Sequence, residues 1–343
     1  MGGTGMRIAA AWKDGAGRVN RAGSILLGVW IMTVLVSLPM TLVLRAMIAQ
    51  HLGDSLAADT AASGVNYEWM QEFADQASGV GVTFKPTVIG FGAVLDNLSS
   101  FVDATRRPLV VSAVAAAYIL LWTFVAGGII DRLARDRAVR AHGFFAAAGV
   151  YFWRFLRLGV LQLAVYGLLF GPVHDALFDR VYRLAIHDMS VERNAFGVRL
   201  VLYAIFLALV GAANLVFDYT KVRAVVEDRR SMIGALGASA RFIRRNPGAL
   251  ALYLLNVAVF VLCVAAYAVV APGASGSGAA VWAGVAIGQV YVLARLWIKL
   301  VFWASETSFF QSRLAHAGYV AAPVPAWPDS PAAEAIAQTS ASL

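Results

Sequence analysis

Six stretches of this chain are each long and apolar enough to cross a bilayer: Ser24–Ile48, Pro108–Ile130, Phe155–Gly171, Gly197–Phe217, Gly248–Ala271 and Ala279–Ala304. About 20 mostly apolar residues span the hydrocarbon core as a helix. A helix is what such segments must form, because lipid offers nothing to free backbone N–H and C=O groups. Composition agrees. Of 343 residues 60% are hydrophobic and only 14% charged, against roughly a quarter charged in soluble domains. A soluble globule with so few charges would expose large apolar patches, and the single cysteine, Cys263, rules out a disulfide scaffold. The expectation is an all-α integral membrane protein with six transmembrane helices, forming one polytopic domain over residues 1–317.

Basic residues set the orientation. Arg7, Lys13, Arg18 and Arg21 precede the first span, six arginines lie between Arg132 and Arg157, and seven lysines and arginines lie between Lys221 and Arg245. The opposite loops hold only Lys85, Arg106, Arg107, Arg180, Arg183 and Arg193. By the positive-inside rule both termini are expected in the cytoplasm, in an inner (cytoplasmic) membrane. The net charge of +8 is thereby a topology signal and not a nucleic-acid footprint. The first apolar run is too long for a signal peptide and lacks a small-residue cleavage site, so it reads as an anchor that is kept.

The basic loops carry their own pattern. Met232, Ile233, Leu236, Ala240 and Ile243 recur at helical spacing, Arg241, Arg244 and Arg245 follow, and Asn246-Pro247-Gly248 stops the helix. Phe144, Ala148, Tyr151, Phe152 and Phe155 form a similar stripe beside Arg154 and Arg157. Both segments read as amphipathic helices in the headgroup layer, with Arg154, Arg157, Arg241, Arg244 and Arg245 touching lipid. The other reading is a transmembrane helix that begins early. The two loops also match each other: Arg154-Phe155-Leu156-Arg157 follows Asp131 at the separation by which Arg241-Phe242-Ile243-Arg244 follows Asp218. The same displacement carried from Asp218 lands at Ser305 and Glu306. This suggests three pseudo-repeats of a two-span unit, each introduced by an interfacial helix.

The first unit departs from this with a long outside loop, residues 49–107. Tyr67, Met70 and Phe73 mark one short helix, and Phe91, Val94, Leu95, Leu98, Phe101 and Val102 another. The loop is a candidate surface for a protein partner. Residues 318–343, with Pro323, Pro325, Pro328 and Pro331, read as a disordered cytoplasmic tail.

Few residues suggest chemistry. Glycine pairs Gly284/Gly288 and Gly167/Gly171 predict close helix contacts, and Gln162, Asn214, Asn256 and Gln289 predict hydrogen bonds between helices. Arg295 and Lys299 stand one turn apart in the sixth span, flanked by Trp297 and Trp303. Arg295 lies about 14 Å from the span's end at 1.5 Å per residue. Such a charge marks a functional site if it is buried, with Asp218 as its natural partner; alternatively both side chains snorkel to the headgroups. Arg295, Lys299 and Asp218 are thus the candidate anionic-ligand site. His174, Asp175, Asp179, His187 and Asp188 are metal-ligand types without metal-site spacing. The loop from Gly273 to Gly278 lacks the Lys-Ser/Thr of a phosphate loop. No catalytic residue and no cofactor or metal site is expected.

Asp218-Tyr219-Thr220-Lys221-Val222-Arg223-Ala224-Val225-Val226-Glu227-Asp228-Arg229-Arg230, continuing through Ala235, Ser239, Phe242 and Asn246, is similar to a broad group of bacterial six-span proteins. That group includes the membrane domain attached to some glycerophosphodiester phosphodiesterases. The resemblance implies a membrane fold and carries no catalytic residue. Taken together, the expectation is a non-enzymatic envelope scaffold or accessory protein that contacts lipid and a partner. A transporter or lipid-handling protein for an anionic solute or lipid is the alternative.

Overall fold

The computed structural model describes residues 8–53, 55–63, 66–85, 87, 90–273 and 278–315. Among them no strand occurs. The helices are α1 (Ile8–Asn20), α2 (Gly23–Gly53), α3 (Ala58–Ser63), α4 (Tyr67–Gln76), α5 (Gly90–Val102), α6 (Leu109–Arg135), α7 (Ala141–Leu168), α8 (Tyr182–Ile186), α9 (Glu192–Val226), α10 (Met232–Arg245), α11 (Gly248–Val270) and α12 (Ala279–Ala315). Six rods are long and apolar enough to cross a membrane. They are α2, α6, the run from α7 to α8, α9, α11 and α12. The chain is a multi-pass membrane protein. The proline-rich tail and residues 274–277 of the glycine-rich loop lie outside the described residues.

The third rod differs most from its expected form. Read as the shortest span, it is the longest, running unbroken for 46 residues from Ala141 to Ile186. No separate interfacial helix precedes Phe155. No proline falls between Ala141 and Leu168, so nothing interrupts the hydrogen-bond ladder. Past Leu168 two π-helical turns, Leu169–Val173 and Ala176–Val181, carry the rod across Pro172, whose ring cannot join a regular ladder. The stripe around α10 behaves otherwise. Ser231 caps it by accepting from the Gly234 N–H at 3.3 Å, and Asn246-Pro247 separates it from α11.

The bundle is organised around α12. Leu296, Leu300, Val301, Trp303, Ala304, Phe309 and Phe310 are buried against α1, α6, α9 and α11. Between two helices an especially close approach is that of α1 and α12: a Cβ on Gly15 would stand 2.5 Å from the Ser305 backbone nitrogen. The α6–α7 seam is similar. There a Cβ on Gly127 would meet the Tyr151 Cβ at 2.7 Å, and one on Gly128 the Phe144 carbonyl oxygen at 2.7 Å. The glycine pairs singled out in the sequence do not act this way. A Cβ on Gly167, Gly171 or Gly288 would have nothing within 4 Å, and one on Gly284 would meet only Pro272, at 3.1 Å. A small-residue spacing shows where a helix could be approached, and no helix approaches there.

Polar groups pin the same end. Arg18 donates to Asp14 at 2.9 Å, to the Leu133 carbonyl at 2.9 Å and to Gln311 at 2.9 Å. Gln311 donates to the Ala134 carbonyl at 2.9 Å, and Ser308 to Asp14 at 2.6 Å. The last carbonyls of α6 have no partner within their own helix; α1 and α12 satisfy them. The four span amides also work as ties. Gln289 accepts from Trp30 at 3.0 Å, Asn256 donates to Ser305 at 3.0 Å, and Tyr166 joins Gln162 to Asn214.

At the opposite end α5 leans on α7 and α9 through the Phe101, Phe170 and Phe206 rings. In the segment between α2 and α6 the buried residues of α4 are Trp69 and Phe73, while Tyr67, expected among the apolar set, is exposed. His51 accepts from Trp69 Nε1 at 3.0 Å and stacks edge-on against Phe73, with Phe84 completing the nest.

The Gly15 contact meets backbone, which cannot swing aside. Gly15→Val should therefore destabilise the protein by about 1–3 kcal/mol. Gly159→Ala has open space around it and should be neutral or slightly stabilising, since alanine favours the helix. Thermal unfolding in detergent distinguishes the two.

Candidate functional site

The structure gathers most of the charged residues near α12 onto one seam. Asn214, Asp218 and Lys221 follow one another along a face of α9, and Lys299, Trp303 and Glu306 along a face of α12, at the three- and four-residue steps that share a helix face. Trp303 Nε1 donates to Asp218 at 3.2 Å, and the Lys221 ammonium lies 3.1 Å from the same carboxylate oxygen. Lys299 lies over two aromatic faces, 5.0 Å from the Trp122 ring centre and 5.2 Å from that of Trp303. Its side chain is exposed, beside α6 and α12 and within electrostatic reach of Asp218 and Lys221 on α9. Two indole faces hold an ammonium by their quadrupoles without neutralising it.

Arg295, one turn away, is exposed and stacks over Tyr291 at 5.6 Å. Its expected pairing with Asp218 is not formed; Lys221, a turn further along α9, reaches that carboxylate instead. Neither Arg295 nor Lys299 has a carboxylate partner among the described residues. The polar seam continues inward, where Tyr166 donates to Asn214 and Tyr253 also bonds Asn214.

One residue of this seam was missed as a site candidate. Glu306 is fully buried, and both carboxylate oxygens lack a hydrogen-bond partner among the described residues. Asp218 and Lys221 lie within its electrostatic reach. Its place seven residues beyond Lys299, past the end of the apolar run, put it outside the span drawn from sequence. The i, i+4, i+7 stripe through Trp303 was the signal that could have found it.

The five arginines expected at lipid headgroups divide. Arg154 is largely buried and pairs with Asp228 at 2.5 Å, also donating to the Arg229 carbonyl at 3.3 Å. Arg157, Arg241, Arg244 and Arg245 are exposed. Asp228 is left-handed (φ 46°), as is Asp136 (φ 47°) after α6, a conformation aspartate tolerates better than most residues. Asp136 is clasped in the same manner by Arg21, at 2.7 Å. At the far end Tyr203 donates to Asp103 and, with Arg199, holds that carboxyl below its usual range. The metal-type residues are not brought together. His174 bonds the Val102 carbonyl at 3.0 Å, Asp179 lies 3.5 Å from Arg183, and His187 pairs with the adjacent Asp188.

Arg21 donates to both oxygens of Asp136 and holds its carboxyl below the ordinary range. The native state thus gains from this pairing above the unfolded value, about pH 4, and loses the gain as pH falls through the lowered native value. The clasp is open to water, so the effect is small. Asp136→Asn keeps a residue that tolerates the left-handed turn and removes the charge. Its melting temperature should fall less steeply than that of the wild type on acidification below about pH 4. Compared with protein-family models, curated proteins and solved structures, the chain matches none.

Proposed function

We propose that the chain is a lipid-handling protein of the cytoplasmic (inner) membrane that holds an anionic headgroup at Lys299 and Arg295. The single observation that carries this is two exposed cations one turn apart on α12 without an ion-pair partner among the described residues, one of them set beside the Trp122 and Trp303 rings. Intramembrane charges are costly and are kept for a use. A phosphate or carboxylate arriving at this face would meet both cations, while the indoles would take the apolar part of an amphiphile. The reading is non-enzymatic, with both termini cytoplasmic by the distribution of basic residues. The exposed Arg157, Arg241, Arg244 and Arg245 would then face the inner-leaflet headgroups, together with Met232–Arg245 as an interfacial helix. The three-unit repeat and the likeness to six-span bacterial membrane domains belong to the same reading.

A second reading, a scaffold or accessory protein, is favoured by the outside loop. Its aromatic nest is packed, and Leu95, Leu98 and Phe101 of α5 stay exposed, which suits a protein partner.

Lipid binding to purified protein, followed by native mass spectrometry, tests the first reading. Each Lys or Arg near an anionic headgroup contributes about 1 kcal/mol. The pair Arg295→Gln and Lys299→Gln should therefore weaken phosphatidylglycerol or cardiolipin binding by about ten- to thirty-fold and leave phosphatidylcholine unchanged. Competition by free glycerol phosphate would show that a soluble anion, and not a lipid, is the ligand. Equal binding of anionic lipid by wild type and the double variant would sink the proposal. Reporter fusions at residue 230 and residue 80 should report cytoplasmic and external positions respectively.

A further inference from the structure

Glu306 presents a problem that the anion-binding reading does not use. Its side chain is enclosed on α12 next to Phe309 and Phe310, themselves buried, and neither carboxylate oxygen has a donor among the described residues. An ionised carboxylate without partners in such surroundings is strongly disfavoured. The position therefore calls for a proton or a bound cation.

The geometry separates these two. A cation cage needs several oxygens converging from different directions. Ser305, Glu306 and Thr307 are consecutive on α12 and so point to faces about 100° apart. Asn256 donates its amide N–H to Ser305, and its Oδ1, like Thr307 Oγ1, is buried without a partner among the described residues; both are neutral oxygens. The hydroxyl of Tyr219 on α9, buried and also without a partner among the described residues, lies within electrostatic reach of Glu306. One carboxyl among neutral oxygens, with the Asp218 carboxylate already taken by Lys221 and Trp303, suits a single proton. The titratable and charged groups facing it are Asp218, Tyr219 and Lys221 from α9 and Tyr253 from α11. Among the described residues α1, α6 and α10 place no charged group within its electrostatic reach.

We infer that Glu306 is a proton-binding site, and that its proton controls the α9–α12 seam. With the proton on, the carboxylic acid is neutral and the apolar packing around Phe309 and Phe310 closes over it. With the proton off, the carboxylate draws Lys221, the cation within reach, away from Asp218. The Trp303–Asp218 hydrogen bond and the ion pair beside it then rearrange. Glu306 would bind its proton whether or not Lys299 and Arg295 hold an anion.

Infrared difference spectroscopy on the full chain in nanodiscs, acid minus alkaline, reads the proton directly. The expected result is a carbonyl-stretch band of a buried carboxylic acid that is lost in Glu306→Gln and kept in Asp218→Asn. Should Glu306→Gln fail to fold, wild-type protein carrying carboxyl-13C glutamate gives the same answer, because the band must move with the label. A band that survives Glu306→Gln, or ignores the label, overturns the proposal, as does the absence of any such band across the whole stable pH range. Tryptophan fluorescence should follow the same titration, and a midpoint that moves with sodium concentration at fixed ionic strength would show a metal cation in place of the proton.

Discussion

The contact between α1 and α12 is what the rest of the structure depends on. At Gly15 the absence of a side chain lets α1 approach α12 to backbone distance. That approach closes the basic end of the bundle with protein instead of lipid headgroups. It buries Ser305, Glu306, Thr307 and Ser308, four polar residues in succession, which an exposed helix end would have left in water. Arg18, arriving on the same helix, reaches the terminal carbonyls of α6. An arginine at a helix C-terminus satisfies free carbonyls and complements the dipole. One short helix thus sets the position of α6, shields α12 and forms the floor beneath the charged seam.

The polar groups inside the bundle then follow two different rules. Asn214, Asn256 and Gln289 are bonded across helices, and Gln162 supports this by donating to Tyr166 on its own helix, so these bonds lower a cost that lipid would impose. Lys299, Arg295 and Glu306 have no ion-pair partner among the described residues. Satisfied groups hold helices together, and unsatisfied ones are where the chain has kept free energy in reserve. Packing alone does not require a lysine between Trp122 and Trp303, and an apolar residue would fill that place at lower cost. The same holds for Glu306 beside Phe309.

The fold class was legible because apolar length is set by bilayer thickness, a constraint that leaves its mark on every span. Arg295 and Lys299 were legible because they interrupt such a run. Other features were hidden for physical reasons. The continuity of α7 from Ala141 depends on what is missing between two hydropathy regions, namely a proline, and an arginine-rich stretch obscures it. The close helix contacts fell at Gly15, Gly127 and Gly128, where a partner helix arrives, and a single-chain glycine pattern does not say where that is. Glu306 lay beyond the apolar run, in a segment that only α1 makes into an interior. Burial there is a tertiary fact. The helical stripe through Trp303 indicated it, but hydropathy did not.

Placing a protonatable carboxyl and an exposed ammonium on one stripe of α12 couples them. Seven residues separate Glu306 from Lys299, about 10 Å along the axis. At that distance, with an effective dielectric constant near 20, one unit charge shifts the energy of another by about 1.7 kcal/mol. An anion held at Lys299 would be repelled by ionised Glu306 and not by its neutral form. Anion affinity should therefore rise by about fifteen- to twentyfold as Glu306 takes up its proton, and by reciprocity a bound anion makes Glu306 hold its proton more tightly by the same factor. A binding profile that stays flat while the Glu306 band titrates would show that Lys221, moving between Asp218 and Glu306, cancels the field before it reaches Lys299.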